Sequence, residues 1–193
     1  MDASLRPENL CEECWKLREE GRKLKQQNGQ PIELDNIEEG GFVGLIKADG
    51  DKIGKVLSGE IFKEEGKATT PSRLASISRI VNLTCESKFA EAVSKVKNAQ
   101  LVYAGGDDLL AVVPGRKALK LARELYSIFT EAMGGKVTMS AGVAIFHYRL
   151  PIYVGLEAAE ILLNNAKNEG RNRIAFSIIG DISLTSEALE RAR

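Results

Sequence analysis

The chain has 193 residues, of which 44% are hydrophobic and 28% charged, and its 27 basic and 27 acidic residues give a formal net charge of zero. This composition excludes a disordered chain, gives no global basic field for nucleic acid, and fits one domain, or one domain with a small appendage, that can bury a core without disulfides. The polar N-terminus predicts no signal peptide, no apolar run approaches the about 18 residues that cross a bilayer, and three cysteines fit a reducing cytoplasm.

Residues 1–41 predict a helical appendage to the main domain, which we place at residues 42–193. Residues 12–27 are charged, have few apolar anchors, and predict a helix that ends at Asn28-Gly29. Cys11 and Cys14 have the spacing of a zinc knuckle, but a tetrahedral site needs two further ligands. The chain has no second pair of cysteines at this spacing and a single histidine, His147. We therefore expect an incomplete knuckle, the remnant of a zinc module, and no bound zinc in this chain.

The main domain opens with a buried strand that leads into two aspartates. Residues 42–46 are continuously apolar, which predicts a central strand, and Asp49-Gly50-Asp51 follows them. A short helix at 52–57 and a surface loop at 58–70 come next. Pro71 then begins a long helix to about residue 97, because apolar residues recur every three or four positions. These residues are Leu74, Ile77, Val81, Cys85, Phe89, Ala92 and Val96, and Cys85 is expected to be a buried thiol.

The second half of the domain predicts four strands and two helices. Strands at 101–104 and 109–113 flank Gly105-Gly106-Asp107-Asp108, and a strictly alternating stretch at 136–146 predicts a half-buried strand. A helix at 152–168 closed by Gly170, a strand at 173–178, and a final short strand and helix complete the chain. The helix at 116–133 is expected to turn inward Leu119, Ala122, Leu125, Phe129 and Met133.

The order of these elements predicts an α+β fold. From residue 42 the order is β-α-β-β-α-β followed by an added α-β, which is the ferredoxin-like order. Right-handed crossovers predict that the first strand lies beside the strand that ends in the two glycines. Asp49 and Asp107 should then face the same small volume.

Carboxylates gathered in this way have a chemical purpose. The glycines allow a tight turn and leave room for a phosphate. Two or three carboxylates in one site repel each other unless a cation joins them, and hard oxygen ligands favour Mg²⁺ or Mn²⁺. Two such ions ~3.5–4 Å apart can activate a 3′-hydroxyl and neutralise a triphosphate. A Gly-Gly-Asp-Asp turn by itself is more often an ordinary hairpin, but Asp49 beside it favours a two-metal site.

At these residues the sequence resembles the polymerase/cyclase palm domain in the large subunit of type III CRISPR effector complexes. The resemblance covers about residues 42–178, and its motifs are specific only when taken together. The matching stretches are Gly44-Leu45-Ile46-Lys47-Ala48-Asp49-Gly50-Asp51-Lys52-Ile53-Gly54, Tyr103-Ala104-Gly105-Gly106-Asp107-Asp108, Ser140-Ala141-Gly142-Val143-Ala144-Ile145, Ala158-Ala159-Glu160 and Ala166-Lys167-Asn168-Glu169-Gly170-Arg171-Asn172.

The resemblance implies a cytoplasmic enzyme of antiviral defence that makes cyclic oligoadenylates from ATP with Mg²⁺ or Mn²⁺. It implies that Asp49, Asp107 and Asp108 are catalytic and hold the metal. The residues it implies for nucleotide binding are Gly50, Asp51, Gly105, Gly106, Ser140, Lys167 and Arg171. The implied partners are ATP, other subunits of a CRISPR ribonucleoprotein with guide and target RNA, and a second palm domain; no membrane is involved. The family's histidine-aspartate nuclease domain has no counterpart in this sequence.

Several alternatives stay open. The sequence is also similar to diguanylate cyclases, which use GTP and usually have Glu and Phe where this chain has Asp108 and Leu109. A scaffold domain that binds nucleotide and is inactive without its partner subunits is a further alternative. His147 is either a polar strand-end residue or a nucleotide contact. Lys167, Arg171 and Arg173 either complement a helix dipole or meet the triphosphate, and Lys167 favours the second role.

Overall fold

The computed structural model describes residues 11–27, 34–60, 66 and 68–180. The predicted turn at Asn28-Gly29 and the predicted last strand and helix lie outside the described residues. The helices are α1 (Glu12–Gln27), α2 (Leu34–Ile37), α3 (Ile53–Leu57), α4 (Pro71–Leu83), a π-helical segment (Thr84–Phe89), α5 (Ala90–Ser94), a 3₁₀ turn (Gly115–Lys117), α6 (Ala118–Ala132) and α7 (Ile152–Asn168). The strands are β1 (Phe42–Gly50), β2 (Gln100–Gly105), β3 (Asp108–Pro114), β4 (Met139–His147) and β5 (Ile174–Ile179).

The five strands form one sheet in the order β2-β3-β1-β4-β5. Neighbours are antiparallel except β4 and β5, which are parallel. This is the ferredoxin-like arrangement with one added strand, so the predicted fold is confirmed. The predicted neighbour of β1 is wrong: β1 pairs with β3, which follows the glycine turn, and β2 lies at the edge. The crossover from β1 to β2 skips one position, and the hairpin returns β3 into that gap.

Helices cover both faces of the sheet. On one face, α4 to α6 bury a cluster that includes Ile46, Phe89, Leu109 and Phe129. On the other face, α2 and α7 bury a second cluster that includes Leu45 and Phe146. Because β1 lies in the middle of the sheet between these two layers, its C-terminal end is held rigidly. None of the helices within the described residues is long and apolar enough to cross a membrane.

The strand β4 is buried on both faces, and the prediction of a half-buried strand is therefore wrong. Its first eight residues are all buried, Met139 and Val143 toward one layer and Phe146 toward the other. Gly142 permits this, because a Cβ there would lie 2.1 Å from the carbonyl oxygen of Ala159 on α7. A small residue thus lets a helix cover a face that alternation assigned to solvent.

The long helical layer differs from its prediction at two points. Thr70 caps α4 by accepting from the Arg73 N–H at 3.3 Å, and Cys85 is fully buried as expected. The π-helical segment interrupts the expected single helix and carries Cys85 and Phe89 into the core. Leu119 was expected to face inward but is 37% exposed. Ala122, Leu125 and Phe129 are buried as predicted, and Ala118 and Leu121, on either side of Leu119, complete the buried face.

Candidate functional site

The end of β1 and the β2–β3 hairpin bring three aspartates together. Asp49 stands directly opposite Asp108 in the antiparallel ladder. The N–H of Gly50 donates to the carbonyl oxygen of Asp107 at 3.2 Å, which ties the hairpin tip to β1. Gly106 has φ +60, a left-handed conformation that favours glycine. The prediction that Asp49 and Asp107 share one small volume is confirmed.

The electrostatics of this cluster are those of crowded like charges. Burial and the nearby charge of Asp49 raise the pKa of Asp107. Burial, a hydrogen bond with Asp49, and the charges of Asp49 and Asp107 raise the pKa of Asp108 to about 6. Lys167 acts in the opposite direction, with its Nζ 2.5 Å from Asp49 Oδ2. One lysine therefore offsets only part of the repulsion among three carboxylates.

A divalent cation fits this donor set. Asp49, Asp107 and Asp108 offer hard carboxylate oxygens, and burial and the neighbouring carboxylates raise the pKa of Asp107 and of Asp108. Next to them the hairpin is open, because a Cβ on Gly105 or Gly106 would meet no atom within 4 Å. In the part of the chain that the structure describes, no three acidic, histidine or cysteine side chains already surround one point as metal ligands. Binding of Mg²⁺ or Mn²⁺ by these aspartates stays a prediction.

Asp51 faces the interior of the protein. Its carboxylate is 4% exposed and accepts from Thr138 Oγ1 and Ser140 Oγ, each at 2.7 Å. It also accepts from the backbone N–H of Asn172 at 2.9 Å. Ser140 is fully buried as well. The geometry gives Asp51 and Ser140 a place in the framework under the site, instead of the direct nucleotide contacts that the sequence led us to expect.

Gly50 likewise serves packing. A Cβ at this position would lie 2.8 Å from Ile53 Cγ1 and 2.9 Å from both Asp107 Cβ and Phe129 Cζ. The residue is buried, and only glycine allows the hairpin tip to approach β1 so closely. Gly105 and Gly106, in contrast, border open space where a phosphate could approach, as predicted.

The basic residues in the last turn of α7 and in the segment after it divide into two groups. Lys167 contacts Asp49, and Arg171 Nε lies 4.0 Å from Asp51 Oδ1 while its side chain stays partly exposed. Arg173 turns away to pair with Glu169 at 3.2 Å. Lys167 therefore lies at the cluster of Asp49, Asp107 and Asp108, Arg171 lies beside Asp51, and Arg173 pairs elsewhere. The triphosphate role of Lys167 and Arg171 remains a prediction.

Sequence reasoning missed several residues that support the site. Thr138 and Asn172 hold Asp51, and Tyr126 Oη donates to Asn172 Oδ1 at 2.6 Å. Lys47 pairs with Glu160 of α7, and that hydrogen bond raises the pKa of Lys47. Strand alternation could have placed Lys47 on the same face as Asp49, two residues away. Nothing in the sequence could have located Asn172, whose backbone makes the contact.

Three further candidates lie apart from the acidic cluster. His147 pairs with Phe42 at the opposite end of β1 from Asp49 and stacks on Tyr148 with ring centroids 5.0 Å apart. The strand-end interpretation of His147 is therefore confirmed. Cys11 and Cys14 are exposed at the start of α1, where the Cys14 N–H donates to Cys11 Sγ at 3.4 Å.

Comparison with known proteins places this site in a described family. The family model for the Cas10/Cmr2 second palm domain matches residues 42–175. The Cmr2 subunit of the CRISPR Cmr system of Pyrococcus furiosus is 34% identical over 163 residues, which cover 72% of this chain and 18% of that protein.

Two solved structures have the same fold. A Csm1–Csm4 cassette in complex with cA4 matches 76% of this chain and 22% of that chain, with a TM-score of 0.63 and 25% identity. A Csm1–Csm4 cassette in complex with one ATP matches 68% of this chain and 20% of that chain, with a TM-score of 0.60 and 28% identity. The chain thus spans about a fifth of the length of the relatives it matches.

Proposed function

The chain belongs to the Cas10/Cmr2 second palm domain family, and from this membership we propose that it carries a metal-dependent cyclase site that makes cyclic oligoadenylates from ATP in type III CRISPR antiviral defence. The observation that carries the proposal is the direct pairing of Asp49 with Asp108. Asp107 and Lys167 complete a site where negative charge is in excess. The relatives solved with ATP and with cA4 support the choice of nucleotide.

The proposed nucleotidyl transfer requires neutralisation of the triphosphate charge and correct positioning of the reacting groups. A 3′-hydroxyl oxygen forms a bond to the α-phosphorus of the next ATP, the bond to the bridging oxygen breaks, pyrophosphate leaves, and the hydroxyl proton passes to water. Bound Mg²⁺ or Mn²⁺, held by Asp49, Asp107 and Asp108, would supply charge neutralisation and activation of the hydroxyl. Lys167 and Arg171 stand at the basic side of the site, where they can bind the outer phosphates.

The decisive variant removes two carboxylates at once. We expect Asp107→Ala/Asp108→Ala to abolish ring synthesis from ATP and Mn²⁺, measured by mass analysis of the products. The matched control is Glu12→Ala/Glu13→Ala, an adjacent acidic pair that is exposed on α1. Equal product from the double aspartate variant and the parent would refute the proposal.

The same assay decides between ATP and GTP. Leu109 and Asp108 depart from the diguanylate cyclase pattern, so we expect products from ATP and none from GTP. A cyclic diguanylate product would replace the proposal with the GTP-using alternative.

The length of the chain favours a second possibility, in which the domain binds nucleotide and needs partners for turnover. It spans about a fifth of the length of its relatives, and the two solved structures described above contain Csm4 beside Csm1. Calorimetric binding of ATP without turnover, with turnover restored by partner subunits, guide and target RNA or a second palm, would identify this case.

A further inference from the structure

Asp51 is the one buried carboxylate among the described residues. A buried charge is costly unless hydrogen bonds replace its water. Asp51 receives three such bonds, from two hydroxyl groups and one backbone N–H, at 2.7 to 2.9 Å. Its own N–H donates to the carbonyl oxygen of Thr138 at 2.7 Å. Because both carboxylate oxygens of Asp51 accept hydrogen bonds, the position of each group in this cluster is fixed.

These bonds join three parts of the fold. Asp51 follows β1, Thr138 immediately precedes β4 and Ser140 is its second residue, and Asn172 lies in the turn between α7 and β5. The turn is far in sequence from β1, since the two bonded residues are 121 positions apart. Asp51 is therefore the side chain that fastens the α7–β5 turn to the end of β1.

The turn itself has a conformation that needs support. Arg171 and Asn172 have φ +63 and +56, in the left-handed region that is unfavourable for residues other than glycine. Tyr126 and Asp51 hold Asn172 from two sides, and the Arg171 N–H donates to the carbonyl oxygen of Ala166 at 3.0 Å. Two successive residues with positive φ persist because their surroundings fix them.

The fastened turn carries the basic side of the site. Lys167 lies one turn of helix before it and reaches Asp49, which is two residues from Asp51. Arg171 is in the turn. The segment from Asp49 to Asp51 thus makes two contacts with this region: a partly buried ion pair with Lys167 of α7, and a buried hydrogen bond with Asn172 of the turn.

We infer that Asp51 is a positioning residue that sets the distance between the triphosphate-binding Lys167 and Arg171 and the metal-binding aspartates, and that it touches neither nucleotide nor metal. This inference rests on the proposed function for the role of the cations. The hydrogen-bond network that holds the turn consists of Asp51, Thr138, Ser140 and Asn172, and we call it the Asp51 clamp.

Four variants distinguish the effect of the clamp on the turn from an effect on the stability of the whole domain. Asp51→Asn replaces one acceptor oxygen with a donor, so the Asn172 N–H or the Thr138 hydroxyl loses its acceptor. Thr138→Val removes one hydroxyl at nearly constant volume and is the milder variant. Thr138→Ser keeps the hydroxyl and should keep the hydrogen bond to Asp51. Ser76→Ala removes an exposed hydroxyl on α4 that bonds Ser72 and serves as the control.

The first measurement needs no nucleotide. Amide hydrogen exchange of the full 193-residue chain is followed at residues 166–173. We expect exchange there to accelerate about tenfold in Asp51→Asn and Thr138→Val, the size expected for one buried hydrogen bond. Thr138→Ser and Ser76→Ala should match the parent. Acceleration spread evenly over the whole chain, or none at the turn, would overturn the clamp.

The second measurement is the calorimetric affinity for ATP with Mn²⁺, at a temperature where every variant is folded. We expect binding to weaken about tenfold in Asp51→Asn, as when one positioned charge contact is lost, and to recover in Thr138→Ser relative to Thr138→Val. Parent-like affinity together with a lower melting temperature would reduce Asp51 to a stability residue and refute the inference. If the parent binds no ATP, the proposed function fails, and the exchange at residues 166–173 still decides whether the clamp exists.

Discussion

Asp108 is a carboxyl group whose ionisation is opposed by its surroundings. Its pKa rises from 3.8 to about 6, first through burial and then through Asp49 and Asp107, while Lys167 opposes the rise. A raised acid pKa means that the folded protein holds this proton more tightly than the unfolded chain. The folded state is therefore penalised at a pH above about 6, and the penalty disappears as the pH falls toward 4.

The raised pKa of Asp108 can be tested through the stability of the protein at neutral pH. We expect Asp108→Asn to raise the melting temperature at pH 7.5 in the absence of divalent metal, because it removes a charge from a crowded cluster. The gain should vanish near pH 4, where Asp108 of the parent is protonated. Melting curves at both pH values check this, and a gain of equal size at both would contradict the assigned cause.

Lys167 provides a second test at the residue scale. Because its ammonium group lies at the acidic cluster, Lys167→Met should weaken calorimetric ATP binding about tenfold, the typical effect of one charge-assisted contact. Lys95→Met is the matched control, since Lys95 forms an exposed pair with Glu91 on the helical layer. Similar losses in both variants would show a nonspecific effect of charge.

The sequence predicted much of the site at this scale, with one class of error. Asp49 and the hairpin aspartates were identified because their residue types and their places at strand ends are visible in the sequence. Asp51 was assigned to nucleotide because its inward direction depends on Thr138 and on a backbone N–H from a turn 121 residues away. Long-range contacts of this kind leave no local pattern.

Among the elements, β4 and α7 approach each other most closely at Gly142. A Cβ there would overlap the backbone of α7, 2.1 Å from the Ala159 carbonyl oxygen. Overpacking of this kind typically costs about 1–3 kcal/mol. We therefore expect Gly142→Ala to lower the free energy of unfolding, measured with chemical denaturant, by about 3 kcal/mol or more.

The control for this prediction is Gly21→Ala on α1, where a Cβ would meet no atom within 4 Å. Replacing a helical glycine by alanine should be neutral or stabilise by up to about 1 kcal/mol. If Gly142→Ala is as mild as Gly21→Ala, the close contact between the two layers is not as described.

Periodicity predicted the elements well and their burial less well. Apolar spacing placed the helices and strands within a few residues. It could not reveal that β4 is covered on both faces, because the second face is covered only where α7 packs against Gly142. It also could not foresee that β3 separates β1 from β2, which follows from how the hairpin fills the sheet.

At the scale of the whole molecule, the chain is one part of a larger assembly in its relatives. It spans about a fifth of their length, and the solved structures with cA4 and with ATP contain Csm4 beside Csm1. We expect turnover by the chain to increase when partner subunits with guide and target RNA are added, while ATP affinity changes less. Steady-state product formation with and without the partners measures this, and unchanged turnover would argue that the chain is self-sufficient.

In the proposed function, Asp49 and the hairpin aspartates form one metal-dependent site. The most direct measurement is the yield of cyclic oligoadenylate from ATP and Mn²⁺ by Asp49→Asn, compared with the parent under the same conditions and with the same partners. We expect the loss to exceed the about 10–100-fold that removal of an outer-shell partner of a metal costs, with folding unchanged. A yield equal to that of the parent would contradict it.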